Sequence, residues 1–530
     1  MKIFSFFLFI LAFVFFMGSC KKELKETPYS TLSPDNVFTS EDGLKKAVLG
    51  VYQSWTAMDF YGVYFRFVLA ESGHRYATQG IYGAAFIDPY YRFAEKPTDG
   101  VATTVWSRMF MTISRANAVI DNATKAVSDT AVANKYIAEA KFLRAYAYFN
   151  LVRNFGGVPL IRNEITSLQQ SDLIYGANAT IEDTYNFILE DMQYAEANLP
   201  DTWGQADAGR VAAGTAKAML GKVYLTMAGK PLSKPDYFQK AVDKLQEVTG
   251  AANEAKYGFG LENNFREVFS INNKHNKEIV LSFSYFLSSA NSNASIYPFF
   301  IFPRGLVNGD EQTNYGLTYD FYKLFEAKDA RRDFTVVDRY VFAGSVASDG
   351  ANPGDSIIYD PVDKHYIVKN TNAIFGNTSV KSGLAYGKFD RVARPAGSVP
   401  WGYSTDLLEL RFSDVLLCLA EALTETGKPA EALPLLNRVR TRSNATPAAS
   451  AGVEEVRSAI RNERRLELTG EFTTVYDIRR WGTLPEEIAA MSPNQVQDNQ
   501  IQSYSPKLEL YPIPQTQLDA NPNLKQNAGW

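Results

Sequence analysis

Apolar residues recur with helical spacing along most of this chain, and in one stretch they do so on two faces at once. At about 100° per residue, Ala140, Leu143, Ala147 and Leu151 form one stripe, and Ala138, Phe142, Ala145, Phe149 and Val152 form a second on the opposite side. Two narrow polar seams separate them, Glu139 with Asn150 and Arg153, and Lys141 with Arg144. A surface helix needs one apolar stripe, so two predict a helix packed between layers, with its alanines letting neighbouring helices come close. Gly156-Gly157 ends the helix and Pro159 prevents its resumption.

Single-faced helices are predicted around it. Leu44 to Trp55, Val105 to Asn122, Ile181 to Leu199, Val211 to Gly229, Tyr237 to Val248, Leu410 to Thr426 and Pro429 to Arg440 carry apolar residues at helical spacing, and Ala459 to Leu468 and Val475 to Trp481 are dense in both charge and apolar groups. Two consecutive pairs turn at the same tripeptide, Gly229-Lys230-Pro231 and Gly427-Lys428-Pro429. Both second helices place an alanine four residues before a leucine, Ala241/Leu245 and Ala432/Leu436, a small-and-large pattern similar to tetratricopeptide (TPR) repeats.

The pattern fails in two places. Between Tyr61 and Gly100 glycine and tyrosine accumulate, and from Tyr257 to Trp401 helical periodicity is scarce outside Leu317 to Ala327. In the second segment Glu278 to Phe286 reads as a strand. A long irregular segment inside a helical chain reads as a functional insert. The expected fold is therefore mainly α, a TPR-like stack of helical pairs with a loop-rich insert containing short strands. Residues 35–256 and 402–530 are expected to form the helical parts of one domain, and 257–401 the variable region.

Charge and the N-terminus narrow the setting. A net charge of −4, with no run of Lys and Arg longer than a pair, lacks the basic stripe of a nucleic-acid binder. Lys2 precedes an apolar run from Ile3 to Phe16, too short for a spanning helix of roughly 20 residues and typical of a secretory signal. Met17-Gly18-Ser19-Cys20 resembles a bacterial lipobox, which predicts a signal peptide over 1–19, acylation (palmitate among the chains) at Cys20 and a polar tether over 20–34. Several acyl chains give stable membrane anchoring, at about 0.8 kcal/mol per buried CH₂. The only other cysteine, Cys418, lies in an apolar helical run and reads as core.

The segments Arg144–Leu160, Thr215–Leu225, Asn276–Ser282, Tyr322–Phe334, Arg411–Arg440, Asn462–Trp481 and Leu510–Trp530 resemble the SusD/RagB family of outer-membrane nutrient-uptake lipoproteins. Most specific in combination are Asn462-Glu463-Arg464-Arg465-Leu466-Glu467-Leu468, Asp477-Ile478-Arg479-Arg480-Trp481-Gly482, Leu510-Tyr511-Pro512-Ile513-Pro514-Gln515 and Asn521-Pro522-Asn523-Leu524. The resemblance implies four TPR-like units with a variable region against them, on the surface of a Gram-negative outer membrane. It also implies a SusC-like TonB-dependent transporter as partner, an oligosaccharide or peptide as cargo, and no catalysis.

Little in the chain points to chemistry. His74, His275 and His365 are isolated, without metal-binding spacing, so neither a metal nor another cofactor is expected. The charges of Glu463, Arg464, Arg465 and Glu467 read as ion pairs at i,i+3 and i,i+4 along one helix. Aromatic loops are better candidates, since sugar C–H faces lie on aromatic rings while hydroxyls need polar groups at the ring edge. Two loops offer both, giving Tyr82, Asp88, Tyr90, Tyr91 and Arg92 in one and Asn291, Asn293 and Tyr297 in the other. The alternatives to a binding protein are a lipid-anchored glycoside hydrolase, which needs two carboxylates about 5–9 Å apart, and a TPR scaffold of the cell envelope.

Overall fold

The computed structural model describes residues 37–56, 62–82, 84–288, 294–344, 347–376, 382–399, 401–450, 452–491 and 500–530. The leader, Cys20, the tether, Asn291 and Asn293 lie outside the described residues.

The two-striped stretch is the helix Thr130–Phe155. Asp129 caps it by accepting from the N–H groups of Ala131 and Val132 at 2.8 and 3.3 Å, and Gly156 ends it at φ 72°. Both stripes are buried, one helix packing against Gly100–Ala126 and another, Ile181–Asn198, completing the sandwich. Glu139, Arg144 and Asn150 of the polar seams are buried as well, and ion pairs make that tolerable for the two charges. Glu139 accepts from Arg210 Nε at 3.0 Å and from Tyr52 Oη at 2.9 Å, while Asp191 holds both Lys141 and Arg144. The stack continues through Ala213–Ala228, Asp236–Gln246, Phe412–Glu425, Pro429–Arg442 and Val453–Leu468, each packed on an earlier helix.

Four local expectations are corrected. Gly62–Glu71 is a helix within the segment whose pattern failed; Phe67, Val68, Leu69 and Ala70 are all buried, so no polar face marks it. Leu410 does not begin a helix: Leu407–Arg411 is a strand antiparallel to Ile279–Phe283, and the helix starts at Phe412. The expected helix Leu317 to Ala327 shrinks to Tyr319–Tyr322, because Leu317 pairs with Ala77 in a sheet and Thr318 caps the turn after it. The two Gly-Lys-Pro turns are not equivalent: Gly427 has φ 78° and Pro429 opens a helix, whereas Gly229 has φ −83° and its helix begins at Asp236.

Among the described residues the insert carries most of the strands; Ala77–Gln79 and Leu407–Arg411 lie outside it. Tyr315–Leu317 lies between Ala77–Gln79 and Leu384–Tyr386, with Val336–Val337 at the far edge, all antiparallel. A meander of Arg339–Val341, Ser356–Asp360, His365–Val368 and Ala373–Phe375 forms a second sheet with its own small core around Phe342, Ile357, Tyr366 and Phe375.

The charges of Glu463, Arg464, Arg465 and Glu467 pair across elements, not along their own helix. Arg331 joins Asp329, Glu463 and Glu467; Arg411 joins Glu278, Glu467 and Glu471; Arg464 joins Asp414 and Asp477. Arg465 pairs with Glu487. Nearly all of these groups are buried, so the cluster is an internal lock between the insert and the helical stack.

Candidate functional site

Most of the sequence-nominated aromatics turn inward. Tyr90, Tyr91 and Tyr297 are at most 2% exposed. Tyr297 lies among Phe67, Phe389 and Phe472 at centroid distances of 5.1, 5.1 and 5.6 Å, and its hydroxyl donates to the Gly470 carbonyl at 2.7 Å. Tyr90 packs on Tyr511 and Tyr91 on Tyr315. Asp88 is also buried, accepting from Gln79 Nε2 at 2.7 Å and pairing with Arg92 at 2.5 Å. These residues join the insert to the helices and cannot stack on a ligand in this conformation. A tyrosine in a loop turns either way, depending on whether its ring meets apolar surface and its hydroxyl meets an acceptor, and local sequence does not specify that.

Tyr82 is half-buried. Its hydroxyl donates to the Asp349 carboxylate, the Arg304 guanidinium lies 5.3 Å from its ring centroid, and Arg304 pairs with Asp349 at 2.6 Å. Ser348 Oγ accepts from Arg304 Nη2 at 3.0 Å. Burial and then the bond to Asp349 push the Tyr82 phenol above its ordinary range, so it stays a neutral donor at physiological pH. A ring, a cation, a carboxylate and a hydroxyl thus meet at one partly exposed point.

Arg304 belongs to a loop, residues 303–313, folded around one buried carboxylate. Glu311 accepts from the backbone N–H groups of Gly305, Asn308 and Gly309 at 2.9, 2.8 and 3.1 Å and from Tyr403 Oη at 2.9 Å. Gly305 has φ 74°, and a Cβ there would meet the Phe342 ring at 2.1 Å, so the loop's close approach to the second sheet requires glycine.

The far end of this loop meets a second cluster. Asn308 Oδ1 accepts from the Arg394 N–H at 3.0 Å, and Asp310 pairs with the Arg394 guanidinium at 2.5 Å. Arg394 Nη1 is buried without a hydrogen-bond partner, and Arg394 lines a pocket of about 240 Å³ with Phe286, Asn272, Asp390, Val392 and Ser404. Phe286 is 62% exposed and Trp401 40%. Their segments are joined by Leu287 N–H donating to Ser404 Oγ at 3.1 Å and by a two-way backbone pairing of Ser295 with Tyr403. Exposed rings flanked by Arg, Asp, Asn and Ser side chains suit a flat-faced, hydroxyl-rich molecule.

Sequence reasoning passed over Phe286, Arg304, Asp349, Arg394 and Trp401. For Phe286 a signal existed. Inward Phe283, Tyr285 and Leu287 alternate with outward Ser284 and Phe286, so period-two reading places this aromatic on the solvent side. The others are brought together only by the fold.

An antiparallel helical stack whose loop-rich insert presents rings and paired charges at its surface is the architecture of a binding protein. The chain belongs to the SusD family, whose model matches residues 224–530. A model described as starch-binding, associating with outer membrane, matches residues 24–225. A SusD-like protein of Formosa agariphila is 28% identical, with 95% of each chain covered. A SusD homolog from Bacteroides thetaiotaomicron, 23% identical, superposes with a TM-score of 0.75 over 94% of this chain and 98% of that one. A laminarin-binding SusD-like protein is 25% identical, with a TM-score of 0.72 and coverage of 93% and 100%.

Proposed function

We propose that this protein is a non-catalytic, lipid-anchored glycan-binding protein of the outer membrane that captures oligosaccharide and passes it to a SusC-like TonB-dependent transporter. The observation that carries the binding step is the pair of clusters at the two ends of loop 303–313, the Tyr82 ring with Arg304 and Asp349 at one and the exposed Phe286 ring with Arg394 at the other, with the exposed Trp401 two residues before the pocket-lining Tyr403. The family's description as starch-binding and the laminarin-binding relative support a glucan-type ligand. The lipobox around Cys20 supports the anchor and the outer-membrane location. Membership of the SusD family supports the transporter as recipient.

Isothermal titration with laminarin oligosaccharides tests the binding step. An aromatic contact is worth about 0.5–1.5 kcal/mol beyond its buried area, so Phe286→Ala with Trp401→Ala weakens binding roughly tenfold or more. Unchanged affinity in this double variant sinks the assignment of the surface, and release of shorter sugars from a mixed glycan panel sinks the non-catalytic reading. Cys20→Ala moves the protein from the membrane fraction to the soluble periplasmic fraction; retention in the membrane contradicts lipid anchoring at that residue.

A further inference from the structure

The loop surface does not account for a second, cation-lined recess on the helical side of the molecule. A cavity of about 510 Å³ opens between the C-terminal end of the central helix, the helix Thr474–Trp481 and the segment 504–510. Arg153, Lys230, Arg479, Arg480 and Lys507 line it, and Glu509, which accepts from Tyr504 Oη at 3.0 Å, is the single carboxylate among its described lining residues. Arg480 is neutralised by Glu421 and Asp477. The other four cations have no carboxylate within ion-pair distance among the described residues.

Arg479 is the decisive group. It is 8% exposed, its Nη2 donates to the Leu508 carbonyl at 3.1 Å, and its guanidinium lies 4.2 Å from the Tyr511 ring centroid. Nε and Nη1 have no hydrogen-bond partner. A buried guanidinium with two unused donors in an accessible cavity is a fork waiting for an oxyanion. Arg153 is held flat between the Phe149 and Tyr476 rings, 4.0 Å from each centroid, without a counter-charge. Glu95 lies within electrostatic reach of Arg479 and Lys507, but burial pushes its carboxyl up to about 7, so it offsets them only in part near neutrality.

The rest of the wall selects the body of the ligand. Tyr185, Tyr476, Pro231, Pro506 and Leu510 supply rings and apolar surface, and the volume lies in the range of small-molecule sites, well above the needs of a bare inorganic ion. We propose that this cavity binds a small organic anion, with its carboxylate on Arg479 between Lys230 and Lys507 and its ring-sized body against Tyr476 and Leu510. A sugar acid has this chemistry. The proposed site shares no residue with the glycan-facing surface and stands or falls independently of it.

Titration of the mature protein at low ionic strength with D-glucuronate, D-glucose and sodium sulfate tests the proposal. Glucuronate is expected to bind at least tenfold tighter than either of the others. Lys230→Ala with Lys507→Ala, at the cavity mouth, is expected to weaken glucuronate at least tenfold, and Phe286→Ala to leave it unchanged. Arg479→Gln abolishes binding while circular dichroism shows the native helix content; if that variant unfolds, the lysine pair decides. Equal affinity for glucuronate and glucose overturns the proposal, as does sulfate binding as tightly as glucuronate. An unaffected lysine double variant, or loss of glucuronate binding in Phe286→Ala, overturns it equally.

Discussion

Replacing Arg411 by methionine lowers unfolding free energy by about 3–5 kcal/mol, the expected cost of breaking a buried ion-pair network from one side. Arg411 is fully buried at the end of the strand Leu407–Arg411. Its Nη1 reaches Glu278 at 2.6 Å and Glu467 at 2.9 Å, and its Nε and Nη2 fork onto Glu471 at 2.5 and 2.8 Å. One side chain therefore ties the insert's strand pair to the helix Val453–Leu468 and the turn beyond it. Methionine fills much of the volume but leaves Glu278, Glu467 and Glu471 short of positive charge in a site that water does not reach.

The effect is pH-dependent with a definite sign. Burial alone raises the Glu467 carboxyl, but the guanidiniums of Arg442, Arg411 and Arg331 together hold it well below its ordinary 4.5. A depressed folded value contributes stability that is fully present above about 4.5 and is lost as pH falls towards the folded value. Wild type therefore loses stability below about pH 4.5, the variant loses less, and the gap between them narrows from pH 7 to pH 3. Urea unfolding followed by circular dichroism at several pH values reads both. A difference under about 1 kcal/mol at pH 7, or one that stays constant with pH, contradicts this account of the network.

Arg144→Ala in the central helix is expected to cost a similar 3–5 kcal/mol. Its guanidinium grips Asp191 at 2.7 and 2.9 Å and also donates to Asn117 Oδ1 at 2.7 Å and the Arg162 carbonyl at 2.6 Å. It thereby links Gly100–Ala126, Thr130–Phe155 and Ile181–Asn198, and it lies 4.8 Å from the Phe187 ring centroid. Truncation leaves the fully buried Asp191 with Lys141 alone. A double-mutant cycle with Asp191→Asn isolates the pair: the combined loss falls well short of the sum of the single losses. Simple additivity, or an Arg144→Ala protein as stable as wild type, shows that the seam is not holding the layers together.

The two clusters differ in how far local sequence announces them. Arg144 sits in a polar seam between two apolar stripes, a pattern that places it inside a helical sandwich before any coordinates are known. Glu467 and Arg411 are 56 residues apart, and the i,i+3 spacing of the charges around Glu467 favoured a pairing within the helix that the fold replaces by Arg331 of the insert and by Arg411 and Arg442 of other elements. The aromatic site shows the same contrast. Tyr297 looks like a loop ring, but Phe67, Phe389 and Phe472 close over it from three distant segments. Phe286, by contrast, carries a local signal in strand alternation that the sequence reading passed over.

By itself the sequence determined the helical pairs, the doubly packed central helix, the irregular insert and the family, because helical periodicity and motif spacing are written in residues a few positions apart. Only the tertiary structure decided which rings face solvent, which carboxylates meet which guanidiniums, and where Arg304, Arg394 and Phe286 gather around loop 303–313. The reason is physical: a helix closes its hydrogen bonds within four residues, whereas the exposure of a loop ring or the partner of a buried charge depends on segments hundreds of residues away arriving at the same place.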